Sequence, residues 1–289
     1  MTIAVVGATG NTGLAVVKEL RALGQNPVCV VHNGEKAREA LGRDAKTAVA
    51  ELSDRPALEK ALAGIQSVFV ITGHNPGMAE QESNVLDAAL KVGARYLVRV
   101  SGARAAGKAG SDSVVVSGHA AINERLKASG LGWVILSPSM FMQNMLSQAA
   151  SIKADSKIAL PFAKDLPVTP IDARDTGAVG ARILIDPAPH AGKTYEITGK
   201  LTTYGAFAEV FSQVLGRPIA YVAITPEQAG QGMKARGMPD RLVAHNVALA
   251  KIGAAGGFST EHTKVVEDLV GRAPITARQF VEDSKGLFS

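Results

Sequence analysis

The 289-residue sequence contains only one cysteine, Cys29, so no disulfide can form within the chain. Cys29 lies in an apolar stretch over residues 27–31, which indicates a buried core side chain rather than a nucleophile. No apolar run approaches the ~20 residues that a membrane span needs. The chain also enters an apolar run at residue 3, without the basic segment and cleavage site of a secretory signal. These absences predict a cytoplasmic protein with no membrane partner.

Aromatic residues are scarce, at 4% of the chain, and the formal net charge of +5 is spread thinly because lysines and arginines alternate with acids. Without a basic patch interleaved with aromatic rings, the sequence offers no stacking platform for nucleic acid. The six histidines stand apart from the cysteine and no His-Glu-x-x-His motif occurs, so no metal site is predicted. The remaining composition, 46% hydrophobic and 20% charged, is that of an ordinary globular protein.

Three glycines follow the apolar run at residues 3–6 and precede a stretch of helical spacing at 14–23. In such a position the first glycine permits a tight turn, the second lets the backbone approach a pyrophosphate, and the third lets helix and strand pack closely. The helix N-terminus then directs free N–H groups at the phosphates. A glycine-rich turn without a ligand is the alternative. The pattern predicts a dinucleotide site with contacts from Gly7, Thr9, Gly10, Asn11, Thr12 and Gly13.

Short β-branched runs alternate with amphipathic helical stretches through the first half of the chain. This alternation, with nearly continuous apolar strands, is typical of a parallel sheet covered on both faces. The sequence therefore predicts an α/β fold with a Rossmann-type doubly wound parallel sheet. Strands are predicted at 3–6, 27–31, 47–50, 67–71, 96–100 and 133–136, and helices near 12–23, 35–42, 55–63, 78–92 and 115–128.

The regular alternation of predicted strands and helices ends after residue 138. We expect residues 1–150 to form the dinucleotide-binding core and residues 151–289 to form a smaller, mostly helical lobe on the substrate side. The two are interleaved, because a helix near 173–185 and a strand near 194–198 return to the main sheet. A loop over residues 158–162 and one extended piece at 219–224 are predicted within the lobe.

The end of the second strand indicates which cofactor binds. An acid there would accept from the ribose 2′-hydroxyl of NAD, whereas a cation favours the 2′-phosphate of NADP. This chain has no acid at that point but offers His32, Asn33 and Lys36, with Arg38 one turn further on. NADP(H) is therefore favoured over NAD(H), the alternative being a surface turn whose basic residues stay solvated.

The carboxyl ends of parallel strands lie at one edge of the sheet, where ligands bind. Residues at the ends of the third, fourth and fifth strands are therefore further cofactor contacts by position. They are Glu51, Leu52, Thr72, Gly73, Asn75, Ser101 and Gly102.

An ordered series of motifs resembles the NmrA-like branch of the atypical short-chain dehydrogenase/reductases. The matching stretches are 7–13, 61–64, 68–70, 98–102, 129–133, 136–144, 171–175, 195–199 and 215–218. The resemblance implies either an NAD(P)H-dependent reductase, similar to quinone oxidoreductases and triphenylmethane reductases, or a non-catalytic redox-sensing regulator. It also adds Pro138 and Phe141 to the expected cofactor contacts.

The chain departs from the wider superfamily at the proton-donating Tyr-x-x-x-Lys pair, because none of its four tyrosines has a lysine four residues later. Counting back from Ser129 places Val115 and His119 at these two positions. His119 is therefore the candidate catalytic residue, as a contact of the nicotinamide ribose or as a proton donor. The plain alternative is a partly buried helix residue with an ordinary hydrogen bond.

An apolar patch follows the sixth strand at Met140, Phe141, Met142, Met145 and Leu146. It is either core packing or the wall of a flat pocket over the nicotinamide. In the second case we expect the substrate pocket to be lined by His74, Met140, Phe141 and Asn144.

Together these features favour an NADP(H)-dependent oxidoreductase that passes hydride to a quinone-like or conjugated small-molecule acceptor. Such acceptors need little acid catalysis, which explains how a site without the Tyr-Lys pair could work. The alternative is an NADP(H)-binding redox sensor without catalysis, acting through a protein partner, and a homodimer is open in either case. A scaffold whose dinucleotide site has lost its ligand is the third hypothesis.

Overall fold

The computed structural model describes residues 1–73, 75, 77–102, 113–255 and 260–289. Its strands are β1 (Ile3–Val6), β2 (Val28–Val31), β3 (Thr47–Val49), β4 (Ser67–Val70), β5 (Tyr96–Val100), β6 (Gly132–Pro138), β7 (Lys157–Leu160), β8 (Pro167–Val168), β9 (Lys193–Ile197), β10 (Thr202–Thr203) and β11 (Ala220–Ala223). The main sheet has seven of these strands in the order β3-β2-β1-β4-β5-β6-β9, and every neighbouring pair runs parallel. This arrangement confirms the predicted Rossmann-type α/β fold.

Helices cover both faces of the sheet, as a parallel sheet requires. The helices are α1 (Asn11–Ala22), α2 (Gly34–Leu41), α3 (Arg55–Ala61), α4 (Met78–Lys91), α5 (Val114–Lys127), α6 (Ala149–Asp155), α7 (Ala173–Ile185), α8 (Tyr204–Leu215), α9 (Pro226–Ala235), α10 (Asp240–Ala254), α11 (Val265–Val270), α12 (Ala277–Asp283) and α13 (Lys285–Phe288). Apolar residues of α1, α2, α7 and α11 form one cluster with the sheet, and those of α3, α4 and α5 form a second cluster on the opposite face. No helix in the described part of the chain is long and apolar enough to cross a membrane.

Cys29 lies in the middle of β2 and is fully buried. Burial raises the pKa of its thiol to about 11, and the charge of Arg21 opposes this shift only in part. A thiol with this pKa stays protonated at neutral pH and is a poor nucleophile. The interpretation of Cys29 as a core residue is confirmed.

A third apolar cluster lies in the C-terminal lobe and joins residues from 142 to 288. Met142 and Met145 are among its buried members, so these two side chains are core packing rather than pocket wall. Because they lie before residue 150, the lobe's core draws on the segment just after β6. The division of the chain at residue 150 stays a prediction.

The expectation of a loop over residues 158–162 is wrong in its first half. Residues 157–160 form strand β7, which pairs in parallel with β11, so that Ile158 lies opposite Tyr221. The extended piece predicted at 219–224 is the partner strand. The pairing joins segments about 60 residues apart, and neither segment alone carries a strand signal strong enough to reveal it.

Helix α7 packs closely on α1 because two glycines face its neighbours. A Cβ built on Gly177 would lie 2.5 Å from the Cβ of Ala15 and 3.0 Å from the carbonyl oxygen of Thr12. A Cβ on Gly180 would lie 2.8 Å from the ring of Phe69. Since Thr12 and Ala15 belong to the first turns of α1, this contact supports the helix that follows the glycine loop.

Replacement of Gly177 tests this packing. We expect Gly177→Ala to lower the free energy of unfolding by about 1–3 kcal/mol, because the added methyl must displace α1. The matched control is Gly232→Ala in α9, where the nearest atom to a built Cβ is the Nη1 of Arg236 at 3.5 Å. That change gains helix propensity and should stabilise by up to about 1 kcal/mol. Urea unfolding measures both, and equal stability of Gly177→Ala and wild type would contradict the packing argument.

Candidate functional site

The glycine loop has the geometry of a tight turn between β1 and α1. Gly7 has a φ of +82°, which side chains rarely adopt, and a Cβ there would overlap the carbonyl oxygen of Ile71. A Cβ on Gly13 would overlap the carbonyl oxygen of Gly7. Gly10 differs, because its nearest neighbour, the Gly7 carbonyl oxygen, would be 3.5 Å from a built Cβ. Gly7 and Gly13 are therefore needed for the fold itself, whereas Gly10 is not.

The N-terminus of α1 has no side-chain cap. Gly10 occupies the N-cap position and has no side chain that could accept from the first N–H groups, and the first turn carries no acid. Thr9, Gly10 and Asn11 are exposed there, whereas Thr12 is buried. Helices α2 and α3, by contrast, are capped by Asn33 and Asp54. Uncapped N–H groups and the positive end of the helix dipole fit a phosphate group.

The segment after β2 presents a basic corner. His32 and Lys36 are exposed. The side-chain oxygen of Asn33 accepts from the backbone N–H groups of Glu35 and Lys36, at 3.0 Å each. Asn33 therefore fixes the turn that presents the two basic side chains.

The segment after β3 is fixed by hydrogen bonds to the side chain of Asn84, which belongs to α4. The Nδ2 of Asn84 donates to the carbonyl oxygen of Leu52 at 2.9 Å, and its Oδ1 accepts from the Nε of Arg55 at 2.8 Å. Leu52 packs against the second apolar cluster, and Glu51 beside it is exposed. Sequence reasoning missed Asn84, whose position inside a helix gave no sign that it supports a loop.

A buried ion pair lies beneath the ends of β4 and β5. The guanidinium of Arg99 is fully buried, and its Nε donates to the Oε2 of Glu82 at 2.5 Å. Its Nη1 donates to the Oδ1 of Asn123 at 2.6 Å, and its Nη2 lies 2.8 Å from the Nδ1 of His119. All three nitrogens of Arg99 thus have partners, and the pair links β5 to helices α4 and α5.

Two predicted cofactor residues belong to this network. The hydroxyl of Thr72 donates to the Oε1 of Glu82 at 2.6 Å, and the Nδ2 of Asn123 donates to the Oγ of Ser101 at 3.0 Å. The next residue, Gly102, is held in turn, because its carbonyl oxygen accepts from the Oγ of Ser137 at 2.7 Å. The network therefore fixes the carboxyl ends of both strands.

Asn75 forms part of the turn that leads into α4. Its Oδ1 accepts from the N–H of Gly77 at 2.8 Å, and its Nδ2 donates to the carbonyl oxygen of Gly73 at 3.0 Å. The side chain of Asn75 is therefore engaged within its own loop. Its contact with a cofactor, like that of Gly73, stays a prediction.

The predicted substrate residues that the structure describes have different surroundings. The Sδ of Met140 accepts from the hydroxyl of Tyr204 at 3.1 Å, so this residue contacts the core of the lobe. Phe141 pairs with Ile171 and packs against the first apolar cluster, while Asn144 is exposed. His74 lies outside the described residues. Pro138 is buried at the end of β6, opposite Ile197 of β9.

Sequence reasoning missed the Arg99–Glu82 pair, although a signal was present. Arg99 lies inside an apolar run predicted to be a strand covered on both faces. A buried charge is tolerated only when it is paired and hydrogen-bonded, so Arg99 required an acid nearby. Which acid it would be depends on the packing of α4 against the sheet.

Comparison with known proteins shows the family of the chain. The family model described as the NmrA-like family matches residues 1–269. The chain belongs to the NmrA-like family. Among its NmrA-like relatives, an NAD(P)H azoreductase of Xenophilus azovorans is 35% identical over 243 residues, which make up 83% of each protein. The predicted resemblance is thereby confirmed.

Two further matches concern proteins of Escherichia coli. Its quinone oxidoreductase 2 (strain K12) is 26% identical over 283 residues, 96% of this chain and 97% of that protein. The crystal structure of an NADPH-dependent quinone oxidoreductase in complex with NADPH has a TM-score of 0.82 at 25% identity and covers 100% of both chains. The NmrA-like fold thus extends over the whole given sequence.

Removal of one partner of the buried pair tests its importance. Arg99→Met leaves the Glu82 carboxylate buried without its counter-charge, and we expect a loss of about 3–5 kcal/mol in the free energy of unfolding. The double variant Glu82→Gln/Arg99→Met removes both charges and should recover most of that loss. Arg125→Met, which breaks an exposed ion pair with Asp87, is the control and should cost no more than about 1 kcal/mol. Equal losses for Arg99→Met and Arg125→Met in chemical denaturation would show that the buried pair contributes no more than an exposed one.

Proposed function

We propose that the chain is an NADP(H)-dependent reductase that passes hydride to a quinone-like or conjugated small molecule. The broader class rests on family membership and on an NAD(P)H azoreductase that shares 35% identity over 83% of each chain. The chain is an NAD(P)H-dependent oxidoreductase. The observation that carries the proposal is the uncapped N-terminus of α1 behind the turn at Gly7.

The described residues fit a dinucleotide. The turn at Gly7 and the close approach of Gly13 leave the N–H groups at the start of α1 directed outward, where a pyrophosphate would accept from them. Leu52, held by Asn84, would border the adenine, and Ser101 and Gly102 would lie on the nicotinamide side. When bound, the reduced nicotinamide supplies the hydride.

Preference for NADP(H) is supported by the corner after β2. The first side chain beyond the strand is His32, and Lys36 follows within one turn of α2, both exposed to a ligand. A 2′-phosphate would pair with these cations, whereas no acid at this point accepts from a ribose 2′-hydroxyl.

In this proposal, the residues near the nicotinamide orient the acceptor and do not exchange protons with it. No Tyr-x-x-x-Lys pair exists, and Tyr204 is buried in the lobe with its pKa raised by burial. A quinone-like or azo acceptor spreads the incoming charge over its conjugated system, so alignment and exclusion of water are the main demands on the protein. Phe141, Met140 and Asn144 after β6, with His74, are the proposed acceptor contacts.

Substitution of Gly10 tests cofactor binding without disturbing the fold. Its φ of −78° and ψ of 166° suit any residue, and a methyl group there meets no atom closer than 3.5 Å. We expect Gly10→Ala to remain as stable as wild type but to weaken NADPH binding at least about 10-fold, because the methyl occupies the space that a phosphate must approach. Gly286→Ala, at an exposed position of α13 where a built Cβ meets no atom within 4 Å, is the glycine control. Unchanged NADPH affinity in Gly10→Ala would contradict the assignment of this loop.

Cofactor preference is tested at the basic corner. The double variant His32→Ala/Lys36→Ala should raise the KM for NADPH about 10-fold and change that for NADH less than about 2-fold. Lys91→Ala, an exposed lysine at the end of α4, is the control. An equal effect on both cofactors would remove these two residues from 2′-phosphate recognition.

The proposed reaction is tested by following NADPH absorbance with a panel of quinones and azo dyes. We expect NADPH oxidation that depends on the acceptor. Saturable NADPH binding without oxidation by any acceptor would favour the redox-sensor alternative. Failure to bind either nucleotide would contradict both functions.

A further inference from the structure

The buried side of the site contains an arginine whose contacts determine the state of a histidine. We infer that Arg99 is a positioning residue, which holds His119 neutral with its proton on Nε2, so that this N–H donates to a ribose hydroxyl of the bound dinucleotide. The inference rests on the proposed function for the identity of the ligand. The state of His119 itself rests only on the contacts described next.

The direction of the bond between Arg99 and His119 is fixed by chemistry. A guanidinium has five N–H donors and no acceptor. Its Nη2 lies 2.8 Å from the Nδ1 of His119, so this ring nitrogen must accept and cannot carry a proton. The proton of the neutral ring is then on Nε2. An imidazolium would place two N–H groups of positively charged side chains face to face at this distance.

Arg99 cannot turn away from His119 without breaking other bonds. Its Nε is held by Glu82 at 2.5 Å and its Nη1 by Asn123 at 2.6 Å. Glu82 is fixed in turn by the Thr72 hydroxyl at 2.6 Å. The described contacts of the ring include Arg99 from β5, whose own charge is paired with that of Glu82 from α4.

The imidazole lies at the carboxyl end of β5. A Cβ built on Gly102 would lie 3.0 Å from the Cδ2 of His119 and 3.5 Å from its Nε2. Gly102 therefore leaves room for the ring beside the strand end, and its own carbonyl is held by Ser137. In the sheet, β5 is two strands away from β1, which is about 10 Å. A dinucleotide whose pyrophosphate lies at the β1 turn would have its nicotinamide-side ribose in this region.

The tautomer is tested by nuclear magnetic resonance on protein labelled with ¹⁵N-histidine, with the His119 signals identified by their loss in His119→Gln. In wild type we expect a protonated Nε2 and an unprotonated Nδ1. A proton on Nδ1, alone or on both nitrogens, would overturn the inference. In Glu82→Gln/Arg99→Met, which removes the buried charges together, we expect the single tautomer to be lost. Arg125→Met, on the same helix as His119, should keep the wild-type signals.

Kinetics then separates positioning from mere structural support. Glu82→Gln/Arg99→Met and His119→Gln should each raise the KM for NADPH by about 3- to 10-fold, as expected for one lost hydrogen bond. Arg125→Met should leave it unchanged. Persistence of the wild-type tautomer and KM in the double variant would overturn the role of Arg99. If no variant, wild type included, oxidises or binds NADPH while the predicted tautomer is observed, the proposed function fails but the assignment of His119 stands.

Discussion

The buried ion pair between Arg99 and Glu82 is the interaction on which the candidate site depends. A guanidinium and a carboxylate removed from water are costly, and they are tolerated because each of the three nitrogens of Arg99 has a partner within 2.8 Å. The pair ties the ends of β4 and β5 to helices α4 and α5. Strand ends fixed in this way can orient a ligand with little rearrangement.

A second constraint is steric and concerns the turn after β1. In the sheet, β1 lies next to β4, where the order of the strands reverses. Neither Gly7 nor Gly13 can be replaced by a residue with a side chain, because a Cβ at either position would overlap a backbone carbonyl oxygen. Gly177 then allows α7 to cover α1 directly. The start of α1 is thus held by backbone contacts on its inner side, while its outward N–H groups remain uncapped. Packing and ligand recognition use the same few residues.

Much of this fold could be predicted from the sequence because its signals are local. Each strand of the main sheet is a short apolar run, and each following helix repeats apolar residues at helical spacing, so both were visible without tertiary information. The pairing of β7 with β11 was not visible, because it joins two weak segments about 60 residues apart. Met142 and Met145 remained ambiguous for the same reason, since a methionine suits a core and a pocket equally.

The site was predictable to a similar degree. Position at a strand end indicated Thr72 and Ser101, but not that both hydroxyls belong to a buried network. Asn33 and Asn75 were expected as ligand contacts, but the sequence did not show that their side-chain oxygens also cap a helix and close a turn. An amide can do either, and only the local backbone geometry decides. Arg99 was visible as a charge within an apolar strand, but its partners come from helices that the sequence alone does not orient.

The central claim is that the carboxyl edge of the main sheet binds a nicotinamide dinucleotide. Isothermal titration of the wild-type protein with NADPH, and separately with NADH, tests this claim most directly. The account predicts saturable binding of one NADPH per chain, tighter than that of NADH. Absence of saturable heat with either nucleotide would contradict it.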